Sequence, residues 1–562
     1  MHSEENFEMV AKTFQGLEDV LRDELISLGA KDVEMGCRMV SFTGDKELLY
    51  KANLCCRTAL RILKPIVKFK ASDPDELYDA VRDFEWDKFM GPDKTFSIDS
   101  TVNSSEFTHS RYVTYRVKDG IVDYFNDKYH KRPSIRLTGA DIQLNVHISD
   151  DRVTISLDSS GEPLNKRGYR VEQTEAPINE VLAAGIILKT GWRGDCDFVD
   201  PMCGSGTFLI EAALIAANIN PGIFRTHYAF ETWEDFDDKL FSDLYNDDSE
   251  ERTPGCRIYG GDIARAAVAV AQKNIEAAGV EEYVTVECKP FSEWTNPPED
   301  GILVTNPPYG ERIKSEDIEG LYRSIGSTLK NYFKGYHAWL IGYRDENFRE
   351  IGLKPSVKFP ILNGALECEL REYVLFEGSY SQFREDGGSV ANQKFAKDSR
   401  PKVRRMTDKE WDTEARKFGG KSGSKSHSGG HNHNHNKERG FNHKNREFGP
   451  KEEDYSYTDR DFKSKNRDYA PKEKKFKSND RDFRERENGY KERKGRFSGN
   501  DRDFNNKGDF KGRNFTSSKP RRDRGVTTDT LGKKPSLPES SATVFDNRRF
   551  RPRKNDKGRN SD

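Results

Sequence analysis

Between residues 160 and 380, short apolar segments alternate with amphipathic ones, and this alternation constrains the fold more than any other feature of the sequence. Segments such as Ile302-Leu303-Val304 have strand length, and stretches with helical spacing separate them. A repeated strand–helix order predicts a doubly wound, mostly parallel sheet. The dipeptide Asn363-Gly364 between two strand-like runs predicts a closing hairpin, and hence an antiparallel edge on an otherwise parallel sheet.

The first 158 residues show a different, α+β pattern. Residues 5–54 contain an alternating segment, a helix that stops near Gly29, and a return to strand. Residues 55–158 contain a helix capped by Asp73, a long amphipathic helix and a hairpin over Asp150-Asp151. We therefore expect an α+β region before the doubly wound domain of residues 160–380.

The composition changes near residue 380. Residues 381–562 have almost no Leu, Ile or Val and carry roughly 49 Lys and Arg against 30 Asp and Glu, whereas residues 1–380 carry about 44 against 65. A segment so poor in apolar residues cannot bury a core, and we expect residues 381–562 to be a disordered basic tail. Repeats such as "NDRDFRERENGY" (479–490) interleave cations with aromatic rings, which suits RNA phosphates and bases, although a purely solubilising tail has the same composition.

The cysteines and the N-terminus indicate a cellular compartment. The eight cysteines include no C-x-x-C pair, so we expect reduced thiols rather than a disulfide framework. The start "MHSEENFEMVAKTFQG" resembles no secretory leader, and no apolar run reaches the length of a membrane span. These features predict a cytoplasmic protein that is not embedded in a membrane.

Two predicted strands end on carboxylates, and ligands of open α/β sheets bind at the carboxyl ends of the strands. In "VDPMCGSGT" the strand ends at Asp200, after which Gly204 and Gly206 permit a tight turn before a helix. In "YGGDIARA" the strand ends at Asp262, whose carboxylate can accept both hydroxyls of a ribose. The glycine loop has neither the G-x-G-x-x-G spacing nor the Lys of a P-loop. Each acid alone could simply cap a helix, but together they favour a nucleoside ligand.

A third strand ends on "NPPY", which is a rigid stop. Proline has no N–H for a ladder, so Pro307 and Pro308 must end the strand. The Asn306 side chain and the Pro307 carbonyl can then project as two acceptors, and Tyr309 adds a flat ring. Two acceptors and a ring suit a planar group that bears an NH₂, such as a nucleobase. Fixed acceptors also suit catalysis, because small misplacements cost rate.

In this order, "DPMCGSGT", Asp262 and "NPPYG" resemble the cofactor loop, the ribose acid and the catalytic motif of class I amino-methyltransferases. "LNKRGYR" (164–170) and "APINEVLAAGIIL" (176–188) resemble the motif that walls the methionine end of the cofactor. Residues 55–158 resemble a THUMP domain, a module of RNA-modifying enzymes. Residues 5–380 as a whole are similar to the THUMP-containing family of bacterial large-subunit rRNA guanine-N2 methyltransferases, type L.

The resemblance implies a Rossmann-like methyltransferase domain after a ferredoxin-like and THUMP region, with S-adenosylmethionine as cofactor and rRNA as partner. It implies no metal and no obligatory protein partner. The implied cofactor-binding residues are Arg170, Asp200, Pro201, Cys203, Gly204, Gly206, Thr207, Asp262, Ile263 and Asn306. The implied catalytic residues are Asn306, Pro307, Pro308 and Tyr309. The basic segment of the THUMP-like region implies RNA contacts for Lys131, Arg132 and Arg136.

The sequence departs from the family pattern in two places. Where the pattern has an acid near the adenine, this chain has Lys289-Pro290-Phe291, so another group must meet the adenine amine or the cofactor binds more weakly. Some relatives also carry a second methyltransferase domain where this chain has the basic tail. Two other functions stay open: a DNA adenine methyltransferase, since "NPPY" serves that amine equally well, and an inactive RNA-binding assembly factor. Cys203 could serve as a nucleophile toward a pyrimidine, but its place in the cofactor loop favours packing.

Overall fold

The computed structural model describes residues 6–175, 177–308, 315–343, 346–364, 366–378, 380–385, 387, 389 and 406–418. Within these residues it has two sheets, each with helices of its own.

The first sheet has eight strands: β1 (Phe7–Lys12), β2 (Lys31–Gly36), β3 (Met39–Gly44), β4 (Arg61–Lys70), β5 (Thr95–Asn103), β6 (Ser134–Ile135), β7 (Ile142–Ser149) and β8 (Arg152–Asp158). They are hydrogen-bonded in the order β2-β3-β1-β4-β8-β7-β5-β6. The helices of this region are α1 (Glu18–Ser27), α2 (Lys46–Cys55), α3 (Pro74–Arg82) and α4 (Ser110–Tyr129), with a 3-10 turn at Trp86–Lys88. Strand β4 pairs with both β1 and β8, so the two predicted N-terminal regions share one continuous sheet.

Local signals in the sequence account for several of these elements. Asp73 caps α3 by accepting hydrogen bonds from the amides of Asp75 and Glu76, as the sequence predicts. The predicted hairpin joins β7 and β8, and Asp150 takes the left-handed conformation there (φ 56°). Alternate residues of β7 and β8, among them Val146 and Ile155, are buried against the helices, and the residues between them form a polar outer face.

The second sheet has seven strands: β9 (Asp197–Asp200), β10 (Ile258–Asp262), β11 (Val284–Cys288), β12 (Gly301–Thr305), β13 (His337–Tyr343), β14 (Val357–Asn363) and β15 (Leu366–Val374). The order is β11-β10-β9-β12-β13-β15-β14, with β9 to β13 parallel and β15 antiparallel to both of its neighbours. The associated helices are α5 (Glu180–Thr190), α6 (Thr207–Ala216), α7 (Asp238–Tyr245), α8 (Arg265–Ala277), α9 (Ser315–Tyr332) and α10 (Glu346–Glu350). The predicted doubly wound sheet and its antiparallel hairpin edge are thus confirmed.

One segment of the second region packs on the core of the first. The 3-10 turns Pro221–Phe224 and Ala229–Thr232, together with α7, follow α6. Phe230 stacks on Tyr50 of α2 with ring centroids 4.5 Å apart, and Phe241 packs edge-on against the same ring at 5.6 Å. The sequence analysis did not predict this packing, because neither apolar periodicity nor turn chemistry shows which core a short aromatic segment joins.

Two helices lie beyond residue 380, where the sequence analysis expected no regular structure. They are α11 (Tyr380–Glu385) and α12 (Asp408–Lys417). Thr407 and Glu410 form a capping box at the start of α12, a local signal that the composition argument overlooked. The rest of the predicted tail lies outside the described residues. No helix in the described part of the chain is long and apolar enough to cross a membrane, and the eight cysteines, all of them in that part, form no disulfide with one another.

Candidate cofactor and substrate site

The three strand ends singled out in the sequence lie side by side. Strand β9 lies between β10 and β12 in the sheet. Side-chain contacts bridge these ends: the Thr305 hydroxyl donates to Asp200 Oδ1 at 2.6 Å, and the Gly204 amide donates to Asp262 Oδ2 at 3.0 Å. The parallel sheet therefore brings together residues that are 58 and 105 positions apart in the chain.

Asp200 is buried below the glycine loop and organises it. Its Oδ1 accepts a second hydrogen bond, from the Met202 amide at 3.2 Å. Burial raises the pKa of Asp200 to about 7, and the negative charge of Asp262 adds to that rise, whereas the hydrogen bonds from Thr305 and Met202 oppose it. A residue with this pKa changes charge near neutral pH.

Asp262 lies at the rim of the site and uses both carboxylate oxygens. Besides the Gly204 contact, its Oδ1 accepts from the Ala264 amide at 2.8 Å. A carboxylate offers about four acceptor positions, so two remain for a ligand. The neighbouring Ile263 is 75% exposed, although it is a large apolar residue. A flat apolar ligand beside Asp262 would cover it.

The two loop glycines have different structural roles. Both have positive φ, 51° at Gly204 and 82° at Gly206. A Cβ at Gly206 would come within 3.2 Å of Ala271 on α8, so this glycine permits close packing of loop and helix. At Gly204 the nearest atom to such a Cβ is the Thr174 hydroxyl at 3.7 Å, which leaves the backbone open to a ligand.

Arg170 holds the loop in place from the N-terminal side. Its guanidinium donates to Glu180 Oε1 at 2.6 Å, to the Ser205 hydroxyl at 2.8 Å and to the Thr207 hydroxyl at 3.0 Å, and to the Ile178 carbonyl at 3.3 Å. These contacts use four of the five guanidinium N–H groups, so Arg170 positions the loop through Ser205 and Thr207, and its contact with the cofactor stays a prediction.

Asn274 on α8 was not singled out in the sequence, although it ties the same parts together. Its side-chain oxygen accepts from the amides of Val171 and Glu172 at 3.0 and 3.1 Å. Its side-chain nitrogen donates to the carbonyls of Glu172 and Ser205 at 2.9 and 3.0 Å. The residue is buried, and the only signal in the sequence was an Asn on the apolar face of a predicted helix.

Pro201, Cys203 and Thr207 complete the loop, and all three are buried. The Cys203 amide donates to the Gly261 carbonyl at 2.8 Å, which ties the loop to β10. Burial raises the pKa of the Cys203 thiol well above its ordinary value, and the nearby Asp200 adds to the rise. A thiol held neutral in this way is a poor nucleophile.

The substrate side of the site is the end of β12. Pro307 is buried and Pro308 half-buried, and the strand stops after Thr305 as the sequence predicts. The Asn306 side-chain oxygen is buried and has no hydrogen-bond partner among the described residues. A buried acceptor without a donor is costly, so this atom is suited to a donor that arrives with a ligand. Tyr309 lies outside the described residues.

Three family models match consecutive parts of the chain. The RlmL ferredoxin-like domain matches residues 8–63, the THUMP domain residues 71–158, and the RMKL-like methyltransferase domain residues 167–372. A candidate RNA methyltransferase from Synechocystis sp. is 36% identical over 369 residues, which are 65% of this chain and 96% of that protein. The chain belongs to the THUMP-containing, RlmL-like methyltransferase family.

Two further relatives show where the resemblance ends and which ligand the fold holds. The ribosomal RNA large subunit methyltransferase K/L of Syntrophotalea carbinolica is 39% identical over 377 residues, and this chain spans about half (53%) of its length. A candidate methyltransferase crystallised with S-adenosylhomocysteine is 30% identical, with a TM-score of 0.60 over 67% of this chain and all of that one. The cofactor of the fold is therefore S-adenosylmethionine.

The strand ends of this RlmL-like methyltransferase fit that cofactor. Gly204 leaves backbone open, Asp262 has acceptor positions to spare, and Ile263 offers apolar surface. At the position of the missing acid, Lys289 pairs with Glu287 at 2.6 Å, and its ammonium lies 4.0 Å from the centroid of the Trp294 ring. The Lys289 side chain therefore offers the adenine amine no acceptor, so a backbone carbonyl or another side chain would have to meet it.

The three basic residues expected to contact RNA lie on the exposed segment before and after β6. Lys131 is already paired, since its ammonium lies 3.1 Å from both carboxylate oxygens of Asp93. Arg132 and Arg136 are exposed and have no carboxylate within 4 Å among the described residues. Lys131 therefore already has an ion-pair partner, whereas Arg132 and Arg136 can contact RNA without leaving one among the described residues.

Proposed function

We propose that this chain transfers the methyl group of S-adenosylmethionine to the exocyclic amine of a guanine in large-subunit rRNA, in the cytoplasm. The observation that carries the proposal is the Asn306 side-chain oxygen, a buried acceptor at the end of β12 that has no donor in the part of the chain that the structure describes. The similarity to an rRNA methyltransferase K/L and the match to a THUMP domain support RNA as the substrate.

The residues of the chain would hold the reacting amine rather than react covalently. The lone pair of a guanine amine is delocalised into the ring, so the nitrogen is a poor nucleophile. Acceptance of its two N–H groups by the Asn306 oxygen and the Pro307 carbonyl would draw it toward tetrahedral geometry and aim the lone pair at the methyl group. The cofactor supplies an electrophilic methyl group on a sulfonium. Tyr309 is suited to stacking on a base that is extruded from the RNA.

The cofactor would be held on the other side of the same sheet edge. The backbone at Gly204 and the free acceptor positions of Asp262 suit its amino-acid and ribose parts, while Arg170 and Asn274 keep the loop in shape. The position of Asp200 behind the loop makes its carboxylate a support for the turn and a source of negative potential near a cationic ligand.

Tritiated-methyl transfer to unmodified large-subunit rRNA, tRNA and DNA, followed by nucleoside analysis, tests this function. We expect label in rRNA as N2-methylguanosine. Label in DNA as N6-methyladenine would establish the DNA methyltransferase instead. Absence of label in all three, from a protein that binds S-adenosylmethionine and rRNA, would establish an inactive assembly factor.

A further inference from the structure

The outer face of the first sheet carries a group of cations that the proposed function leaves unexplained. Lys70 of β4 stands directly across from Arg152 of β8, and Lys68 lies two residues before Lys70 on the same face. We call these three residues the outer patch. Lys68 is buried and Arg152 is half-buried on this face, whereas Lys70 is exposed.

Helix α12 covers the outer patch, although it lies more than 250 residues after Arg152 in the chain. Asp408 accepts from the Arg152 guanidinium at 2.7 Å, and Asp412 pairs with Lys70 at 2.9 Å. The ring of Trp411 lies 5.5 Å from the Arg152 guanidinium and 5.8 Å from the Lys68 ammonium, and Lys68 also pairs with Glu8 of β1.

The residues of α12 that contact the outer patch lie on one face of the helix. Residues 408, 411, 412, 415 and 418 have the spacing of one helix face, and they supply two acids, two aromatic rings and an alanine. Ala415 is buried, and Phe418 lies 5.0 Å from the Lys68 ammonium. Lys409 and Thr413 on the opposite face are exposed. An acid–aromatic stripe against a cationic patch is complementary in charge and in shape.

The docked helix fixes the place from which the basic tail starts. Residues 419–562 contain 39 Lys and Arg against 23 Asp and Glu. The last described residue before this segment is Phe418, whose ring lies 5.0 Å from the Lys68 ammonium on the sheet that contains the THUMP match. A tether of this kind raises the effective concentration of the tail near any RNA that this sheet holds.

We propose that α12 is an intramolecular anchor, which docks on the outer patch so that the basic tail binds RNA held by the first sheet. The inference rests on the proposed function only for the identity of the RNA. The outer patch itself is not the RNA surface in this arrangement, because Asp408 and Asp412 already neutralise two of its cations.

A matched pair of variants in the full-length chain tests the anchor. Trp411→Ala removes the ring from the docking face, and Thr413→Ala changes the opposite face of the same helix. Neither substitution changes the net charge, and alanine favours the helix at both positions. Acylation of Lys68, which is buried beside the rings of Trp411 and Phe418, reports docking when it is read by mass spectrometry without RNA. We expect Lys68 to be labelled several-fold faster in Trp411→Ala and at the wild-type rate in Thr413→Ala. Equal labelling in all three proteins would refute the anchor.

Binding to an unmodified large-subunit rRNA fragment completes the test. In the full-length chain, Trp411→Ala should weaken affinity about 3–10-fold. In a chain that ends at Phe418, which keeps every described residue, the same substitution should change nothing, because there is no tail to position. Tighter binding by Trp411→Ala in both chains would show that α12 is an inhibitory cover, and unchanged binding in both would show a purely structural helix; either overturns the anchor. Lys68 labelling needs neither RNA nor methyl transfer, so failure of the proposed function would not affect that part of the test.

Discussion

The two halves of the site differ in how far their polar groups are already satisfied. On the cofactor half, the Asp262 carboxylate accepts hydrogen bonds from two backbone amides, and the Arg170 guanidinium donates hydrogen bonds to four protein groups. On the substrate half, the Asn306 oxygen has no donor within the described residues. A group that the protein has satisfied shapes the site before a ligand arrives, whereas an unsatisfied group gains most when the ligand binds. Substitutions on the cofactor half should therefore affect cofactor binding, and substitution of Asn306 on the substrate half should affect turnover.

The largest effect should come from the unsatisfied group. Asn306→Ala removes one acceptor for the reacting amine, and we expect kcat to fall about 10²–10³-fold, which is the usual cost of one group that acts on the transition state. Affinity for S-adenosylmethionine should change less than about twofold, because the cofactor half is untouched. Single-turnover kinetics and calorimetry measure the two quantities. Unchanged turnover in a folded variant would show that the Asn306 oxygen does not act on the reacting amine.

Asn274→Ala tests the cofactor half of the site, because the Asn274 side chain holds the loop that contains Ser205. The substitution removes the hydrogen-bond partner of the buried Ser205 carbonyl and of partly buried groups at Val171 and Glu172, and we expect the free energy of unfolding to fall by about 1–3 kcal/mol. Cofactor affinity should fall with it, whereas kcat at saturating cofactor should recover. Thermal denaturation and calorimetry check this. A drop in kcat at saturation, with stability intact, would place Asn274 in the chemistry instead.

Asn274 also shows which parts of the site the sequence predicts and which it does not. The strand ends at Asp200, Asp262 and Asn306 were predictable, because parallel topology places the carboxyl ends of strands at one edge and each end has a distinctive local sequence. The contacts of Asn274 depend on the packing of α8 against residues 171–172, and no local pattern encodes such packing. The docking of α12 and the aromatic contacts of Phe230 were missed for the same reason, since each joins segments more than 150 residues apart.

Asp262→Ala should weaken the binding of S-adenosylmethionine by about 1.5–3 kcal/mol, the scale of hydrogen bonds to a charged group. The loop loses the Gly204 contact at the same time, so Asp262→Asn is the better control: its oxygen can still accept from one backbone amide. Calorimetry that shows wild-type affinity in the alanine variant would exclude Asp262 from the cofactor half.

The pKa of Asp200 predicts a pH dependence of stability. The unfolded side chain ionises near pH 4, whereas the folded one keeps its proton until about pH 7. Between these values the folded state binds more protons, so the Asp200 contribution to the free energy of unfolding should decrease as pH rises from about 4 to about 7 and level off above. Asp200→Asn can still accept from Thr305 and Met202 but cannot ionise. Denaturant titrations should show a shallower decrease in this variant; identical pH profiles would contradict the raised pKa.

Smaller effects are expected in the first sheet, where Arg132 and Arg136, like the Asn306 oxygen, have no partner among the described residues, whereas Lys131 is paired with Asp93. If an unsatisfied group awaits its ligand there too, Arg132→Ala and Arg136→Ala should each weaken binding to an rRNA fragment by a few-fold and lower the log–log salt slope by about 0.7–0.9, the value of one phosphate contact. Lys131→Ala has the same charge change and should have less effect, because Asp93 already engages that ammonium and a phosphate would have to displace it. Fluorescence anisotropy across a salt series measures all three variants. An equal loss for Lys131→Ala would mean that exposed ion pairs here give way to RNA, so that pairing in the free protein does not mark a cation as structural.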